Sequence, residues 1–119
     1  MIILEKTAEE YFYEAYYKQI KGDYNGAISD YTKSIELNPN SIVVYFNRGN
    51  AKVYLSDNYG AISDFSKAIE LNPNDDDAYS NRGISKEELG DLNGACADWK
   101  KAAELGDTDA ARWVANQCN

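Results

Sequence analysis

The sequence predicts an all-α protein: an α-α superhelix (solenoid) of three helix-turn-helix repeats followed by one short terminal helix. Three observations predict it. The first is internal repetition with a period of 34 residues, which places Pro39 and Pro73, Tyr45 and Tyr79, Asn47 and Asn81, Arg48 and Arg82, and Gly49 and Gly83 in register. The segment GAISDYTKSIELNPN at 26–40 returns as GAISDFSKAIELNPN at 60–74 and, altered, as GACADWKKAAELGDT at 94–108. A period of this length marks stacked supersecondary units, none of which buries its apolar stripe alone. The second is apolar spacing of helical type in both halves of each unit. The third is turn chemistry between the halves. Composition agrees, because the chain holds only two prolines, the residue that breaks helix interiors.

The elements expected are helices over 7–20, 24–37, 41–54, 58–71, 75–88, 92–105 and 108–117. Thr7-Ala8-Glu9-Glu10 has the spacing of a capping box and opens the first. Gly22-Asp23 ends it and caps the second. Asn38-Pro39 closes the second, since a residue before proline avoids helical dihedrals. In the third, Tyr45, Gly49, Lys52 and Val53 share one side. After a break at Ser56-Asp57-Asn58, the stripe Ala61, Ile62, Phe65, Ala68, Ile69 marks the fourth, which Asn72-Pro73 ends. Gly90-Asp91 separates the fifth from the sixth, and Trp113 stands one period after Tyr79 on the last. Lys18, Lys52 and Lys86 hold the register, as do Asp30, Asp64 and Asp98. Met1-Ile2-Ile3-Leu4 is too short for a signal core and lacks a basic leader, so it reads as a lead-in.

Several function classes are excluded by composition. A net charge of −8 without a Lys/Arg cluster repels phosphate backbones, so no nucleic-acid partner is expected. It disfavours anionic membrane surfaces too, and no apolar run is long enough for membrane insertion. The chain has no His, hence lacks the commonest general base. NRGNAK and NRGISK fail the glycine spacing of phosphate loops. Neither an enzyme nor a cofactor is expected. Asp75-Asp76-Asp77 reads as a helix start complementing the dipole rather than a metal site, because EF-hand ligand spacing is absent.

The marker residues resemble those of the tetratricopeptide repeat (TPR). The second unit reads Tyr45-x2-Arg48-Gly49-x2-Lys52, then Ala61-x3-Phe65, then Pro73. The third reads Tyr79-x2-Arg82-Gly83-x2-Lys86, then Ala95-x3-Trp99, with Asp107 replacing proline. The first reads Tyr11-x2-Glu14-Ala15-x2-Lys18, then Ala27-x3-Tyr31, then Pro39. Tyr stands for the family's Trp, Arg or Glu for its Leu, and Lys for its second Tyr. The match covers about 8–107 and implies a single domain over 1–119. Its repeats fall at about 8–41, 42–75 and 76–109, with a capping helix at about 108–117. The tail LGDTDAARWVA also resembles the Sel1-like repeat. The small residues Ala15, Gly49 and Gly83 are expected to let paired helices approach, with Tyr31, Phe65 and Trp99 filling the wedge beside them.

The resemblance implies a concave groove, lined by the first helix of each unit, in which a peptide lies. That face carries Phe12, Tyr13, Tyr16 and Ile20, then Val43, Phe46, Asn47, Asn50 and Tyr54, and finally Asp77, Ser80, Asn81, Ile84 and Glu88, with Val114 beyond. The candidate peptide-binding residues are Phe12, Tyr13, Tyr16, Phe46, Asn47, Asn50, Tyr54, Asn81 and Ile84. Phe12, Tyr13, Tyr16, Phe46 and Tyr54 are expected as one exposed aromatic patch. Asn47 and Asn81 resemble the amide ladder with which some members hold a peptide backbone; the alternative is a packing role. The two-carboxylate clamp of chaperone-binding members is not expected, because Phe12, Tyr16, Asp77 and Asn81 occupy its places and only Asn47 fits. The acidic balance favours a neutral or basic peptide with apolar anchors.

Two further readings stand beside peptide binding. One is a homo-oligomer formed through the N-terminal aromatic face, where Phe12 and Tyr16 are not the polar residues of a cap. The other is a thiol redox switch using Cys96 and Cys118. Cys96 occupies the register of Ile28 and Ile62, as a small core residue would. The fold-back of the terminal helix also brings positions 96 and 118 toward each other, so free thiols and a disulfide both remain open.

Overall fold

The computed structural model describes residues 4–119, so the lead-in expected for Met1 to Ile3 lies outside the described residues. Seven helices form there: α1 (Ala8–Ile20), α2 (Tyr24–Leu37), α3 (Ile42–Tyr54), α4 (Asn58–Leu71), α5 (Asp76–Glu88), α6 (Leu92–Glu104) and α7 (Thr108–Gln117). Side-chain oxygens set most of the starts. Thr7 and Glu10 complete the capping box of α1. Asp23, Asp57 and Asp91 each accept from the amide three residues on, at Gly26, Gly60 and Gly94. Asp75 and Asp107 do the same for α5 and α7, and α3 alone begins without a side-chain cap. Three predicted starts fall one residue early because Thr7, Ser41 and Asp75 are caps, and α6 ends one residue sooner because Leu105 is its C-cap. The turns inside the repeats pass through left-handed backbone at Gly22 (φ 86°) and Gly90 (φ 83°). The matching position in the second repeat is Ser56, at φ 60°, where a side chain adds strain.

Successive helices pack on one another into a body of 64 × 25 × 19 Å. Tyr31, Phe65 and Trp99, one per repeat, are fully buried. They press on the small residues of the first helices. A Cβ added at Gly49 would lie 2.8 Å from the Phe65 ring, and one at Gly83 would lie 2.5 Å from Trp99 Nε1. These glycines therefore serve close approach, at some cost to helix propensity.

The second device is ionic. The Arg48 guanidinium forks onto Asp64 with bonds of 2.9 and 2.7 Å, and Lys52 reaches the same carboxylate at 3.0 Å. One repeat later, Arg82 and Lys86 repeat the arrangement on Asp98. In the first repeat Glu14 replaces the arginine, and Lys18 alone meets Asp30 at 2.6 Å. Arg48 also donates to the Thr32 hydroxyl of the preceding repeat, and Arg82 to that of Ser66. Each arginine thus joins its own hairpin internally and the preceding repeat externally. This accounts for arginine at a position the family fills with leucine.

At the far end, Ala110, Trp113 and Val114 of α7 cover Trp99 and Ala102. The Asp107 carboxylate caps α7 and accepts from the Ser80 hydroxyl. Burial opposes its charge, but these bonds and the Asp109 amide prevail and hold its pKa below the ordinary value. Cys96 of α6 and Cys118 after α7 form a disulfide with Cα atoms 5.8 Å apart.

Two buried side-chain groups have no hydrogen-bond partner among the described residues, the Ser85 hydroxyl and the Trp99 indole N–H. Ser85 is fully buried and its hydroxyl has no hydrogen-bond partner, whereas the second repeat places Ala51 there. Ser85→Ala is expected to stabilise the chain by about 1 kcal/mol, since a buried unpaired hydroxyl costs about 1–3 kcal/mol. Urea unfolding checks this, and a lower midpoint would show that the hydroxyl has a partner in solution.

Candidate functional site

The first helices α1, α3 and α5 lie side by side and form one long face. At its N-terminal end three aromatic rings come together. Phe12 is half-buried, with its ring centroid 6.0 Å from Tyr31 in the core. Tyr13 meets it edge-on at 5.3 Å, and Tyr16 stacks on it at 6.2 Å. Tyr13 is 65% and Tyr16 47% exposed, so both spend their apolar bodies on the surface.

The other two rings of the expected patch sit elsewhere. Phe46 turns toward Phe65, 5.8 Å away, and packs on the middle of the core. Tyr54 stacks flat on Tyr24 at 4.6 Å, at the opposite end of α3. The five aromatics thus occupy three settings rather than one. Ser80 leaves the groove altogether, because its side chain is buried against Asp107. Ile84 is drawn toward the Trp99 cluster.

One hydrogen bond links the amides of neighbouring first helices. The Asn81 side chain donates to Asn50 Oδ1 at 3.1 Å, so the pair that bridges α3 and α5 is Asn50 with Asn81. Asn47 is half-buried one turn before Asn50 on the same helix. The amide–amide bond joins positions 31 residues apart, three short of the one-period register. The Asn50–Asn81 bond uses one donor and one acceptor, and the remaining amide groups face no recorded side-chain partner among the described residues.

Two hollows open beside the aromatic cluster. One of about 230 Å³ lies where α1 and α3 begin, with Phe12, Tyr13, Val43 and Val44 as its apolar wall and Glu9, Ser34, Asn38 and Ser41 as polar members. The other, about 260 Å³, lies between α3 and α5 and is lined by Ile42, Val43, Phe46, Asp75 and Asp77. Val43 lines both, so the two hollows are neighbours. Sequence reasoning placed Phe12, Tyr13, Val43, Phe46 and Asp77 on this face but missed Glu9, Ile42, Val44 and Asp75. Their signal was position: all stand in or beside the first turn of a first helix.

Charge is unevenly shared along the face. The cations Lys18, Arg48, Lys52, Arg82 and Lys86 of the first helices are all paired with Asp30, Asp64 or Asp98 on the second helices. What remains at the two hollows is carboxylate: Glu9 at the first, and Asp75 and Asp77 at the second, with Asp76 adjacent. Desolvation, followed by repulsion from Asp76, Asp75 and Asp107, raises the Asp77 pKa. Asp75 is committed as a helix cap, which agrees with reading the acidic run as a helix start. The site offers apolar walls, amide groups and uncompensated negative charge, which suit non-covalent capture. Among the described residues, no helix is long and apolar enough to cross a membrane.

Comparison with known proteins agrees with the architecture. The first TPR of Spaghetti (RPAP3), solved bound to the HSP90 peptide SRMEEVD, is 28% identical, with a TM-score of 0.86 over 96% of this chain and 92% of that one. The Arabidopsis OM64 TPR domain is 26% identical, with a TM-score of 0.87 over 93% of each chain. The first TPR domain of human RPAP3 is 28% identical, with a TM-score of 0.83 over 92% of this chain and 88% of that one. No curated protein matches the chain. A family model for the TPR repeat matches residues 14–56 and 49–90, more than half of the sequence, and domains of this kind are in general protein-interaction modules. On the strength of that match, the register of three helical hairpins and the fold shared with these domains, the chain belongs to the tetratricopeptide-repeat family.

Proposed function

We propose that the chain is a non-catalytic interaction module that holds a peptide segment of a partner protein along its first-helix face, with apolar anchors at the N-terminal end. The observation that carries this reading is the cluster of Phe12, Tyr13 and Tyr16, where two exposed rings rest on a third that is rooted in the core. An aromatic surface held rigid before binding loses little side-chain entropy when a ligand arrives. Asn47, Asn50 and Asn81 supply amide donors and acceptors farther along, suited to a peptide backbone. The similar Spaghetti domain holds SRMEEVD, a peptide rich in carboxylates. This chain carries carboxylates on its own face, which supports a neutral or basic ligand instead.

The test is panning of a random 12-residue phage library on the wild-type chain, then titration of a selected peptide against variants. Tyr13→Ser/Tyr16→Ser alters exposed rings only, so helicity stays unchanged. Affinity is expected to fall about ten-fold or more, since buried aromatic anchors dominate such interfaces. Equal affinity in the double variant would sink the reading. A second reading is self-association through α1, favoured by the exposure of Tyr17 (60%) and Ile20 (67%) beyond Tyr13 and Tyr16. Light scattering at high concentration that reports a single-chain mass would remove it.

A further inference from the structure

We infer that the hollow between α3 and α5 is the seat of a lysine or arginine of the bound peptide, next to an apolar residue seated between α1 and α3. The inference rests on the groove reading above and adds the chemistry of a particular subsite. The hollow is amphipathic in the manner such a side chain needs. Ile42, Val43 and Phe46 line it with apolar surface, and Asp75 and Asp77 bring two carboxylates to the same wall. A long basic side chain lays its methylenes along apolar surface and keeps its charged head at the edge. The Phe46 ring is suited to a neighbouring cation as well.

The charge balance of the fold points the same way. Every basic residue of α3 and α5 is directed to the far side of its helix, onto Asp64 or Asp98. Asp75, Asp76 and Asp77 make no ion pair with a basic side chain among the described residues. The hollow therefore combines apolar surface and carboxylates with no paired basic side chain among the described residues, and the long basic side chain of a peptide is the complement of both. Val43, shared with the hollow beside Phe12 and Tyr13, places the apolar subsite directly next to it. The predicted recognition element is a bulky apolar residue and a Lys or Arg separated by a short stretch of extended chain.

The probe is a positional-scanning library of octapeptides, N-acetylated and C-amidated so that terminal charges do not compete. Wild-type chain is expected to select Lys or Arg at one position near an aromatic or aliphatic one. Asp77→Asn, at an exposed site that caps nothing, is expected to weaken the selected peptide by about ten-fold at low salt and much less at high salt. Asp77→Lys is expected to turn the preference at that position toward Asp or Glu. Selection of an apolar residue without a basic one, lost in Tyr13→Ser/Tyr16→Ser, would overturn the cation seat and leave the groove reading standing. Basic selection that Asp77→Asn leaves untouched would place the cation elsewhere and also overturn it. Retention of no peptide by the wild type would overturn both.

Discussion

Truncation of Asp64 to alanine is expected to destabilise the chain by about 3–5 kcal/mol, the range seen when one member of a buried ion network is removed. Asp64 is 2% exposed and is met by both Arg48 and Lys52, whose side chains are only 16% and 18% exposed. Without the carboxylate, two cations remain in a half-buried place with no partner. Arg48 also loses the geometry that directs its other nitrogen to Thr32, so the contact between the first and second repeats loosens. The suitable control is Asp57→Ala, which removes only a helix cap and is expected to cost about 1 kcal/mol. Urea denaturation of both variants measures the difference. A cost for Asp64→Ala no larger than that of the control would mean that solvent already satisfies these charges.

The second large effect is expected at Trp99. It is 1% exposed, lies against Gly83 and packs on Trp113 at 5.4 Å. Trp99→Ala leaves a cavity at the junction of α5, α6 and α7 and is expected to cost about 3–5 kcal/mol. Trp99→Phe behaves differently. The indole N–H has no hydrogen-bond partner, and the second repeat already uses Phe65 at this place. Phenylalanine removes the unpaired donor and some volume together, and these effects oppose each other, so its cost is expected to stay well below that of alanine. Thermal melting of the two variants separates the contributions. Equal and large losses would show that indole shape, rather than filled volume, holds α7 in place.

These expectations use relations that the sequence displayed only in part. Helix starts and ends were legible because they depend on local chemistry: Asp23, Asp57 and Asp91 cap, and Asn38 and Asn72 precede proline. The wedge of Tyr31, Phe65 and Trp99 against Ala15, Gly49 and Gly83 was legible because large and small residues alternate at fixed register. The ion networks were half legible. The recurrence of Lys52, Arg48 and Asp64 is plain on the line, but their meeting depends on how far each helix is rotated about its axis. The groove was least legible for a related reason. Which residues of α3 bond to α5 depends on the stagger between repeats, so the partner of Asn81 is Asn50, three positions off the one-period register. Tyr54 finds Tyr24 because antiparallel neighbours bring the end of α3 to the start of α2.

The Cys96–Cys118 link gives the molecule a mechanical polarity. In a stack where each unit leans only on its neighbours, separation begins at whichever end is held less firmly. The covalent tie holds α7 against Trp99, whereas among the described residues α1 packs on α2 and α3 without such a link. Opening of these helices is therefore expected to start on the α1 side, in the repeat that bears Phe12, Tyr13 and Tyr16, where hydrogen exchange would show the earliest loss of amide protection. The end with the greatest exposed aromatic surface is then also the end freest to adjust its shape, while the disulfide-bonded end serves as the anchor.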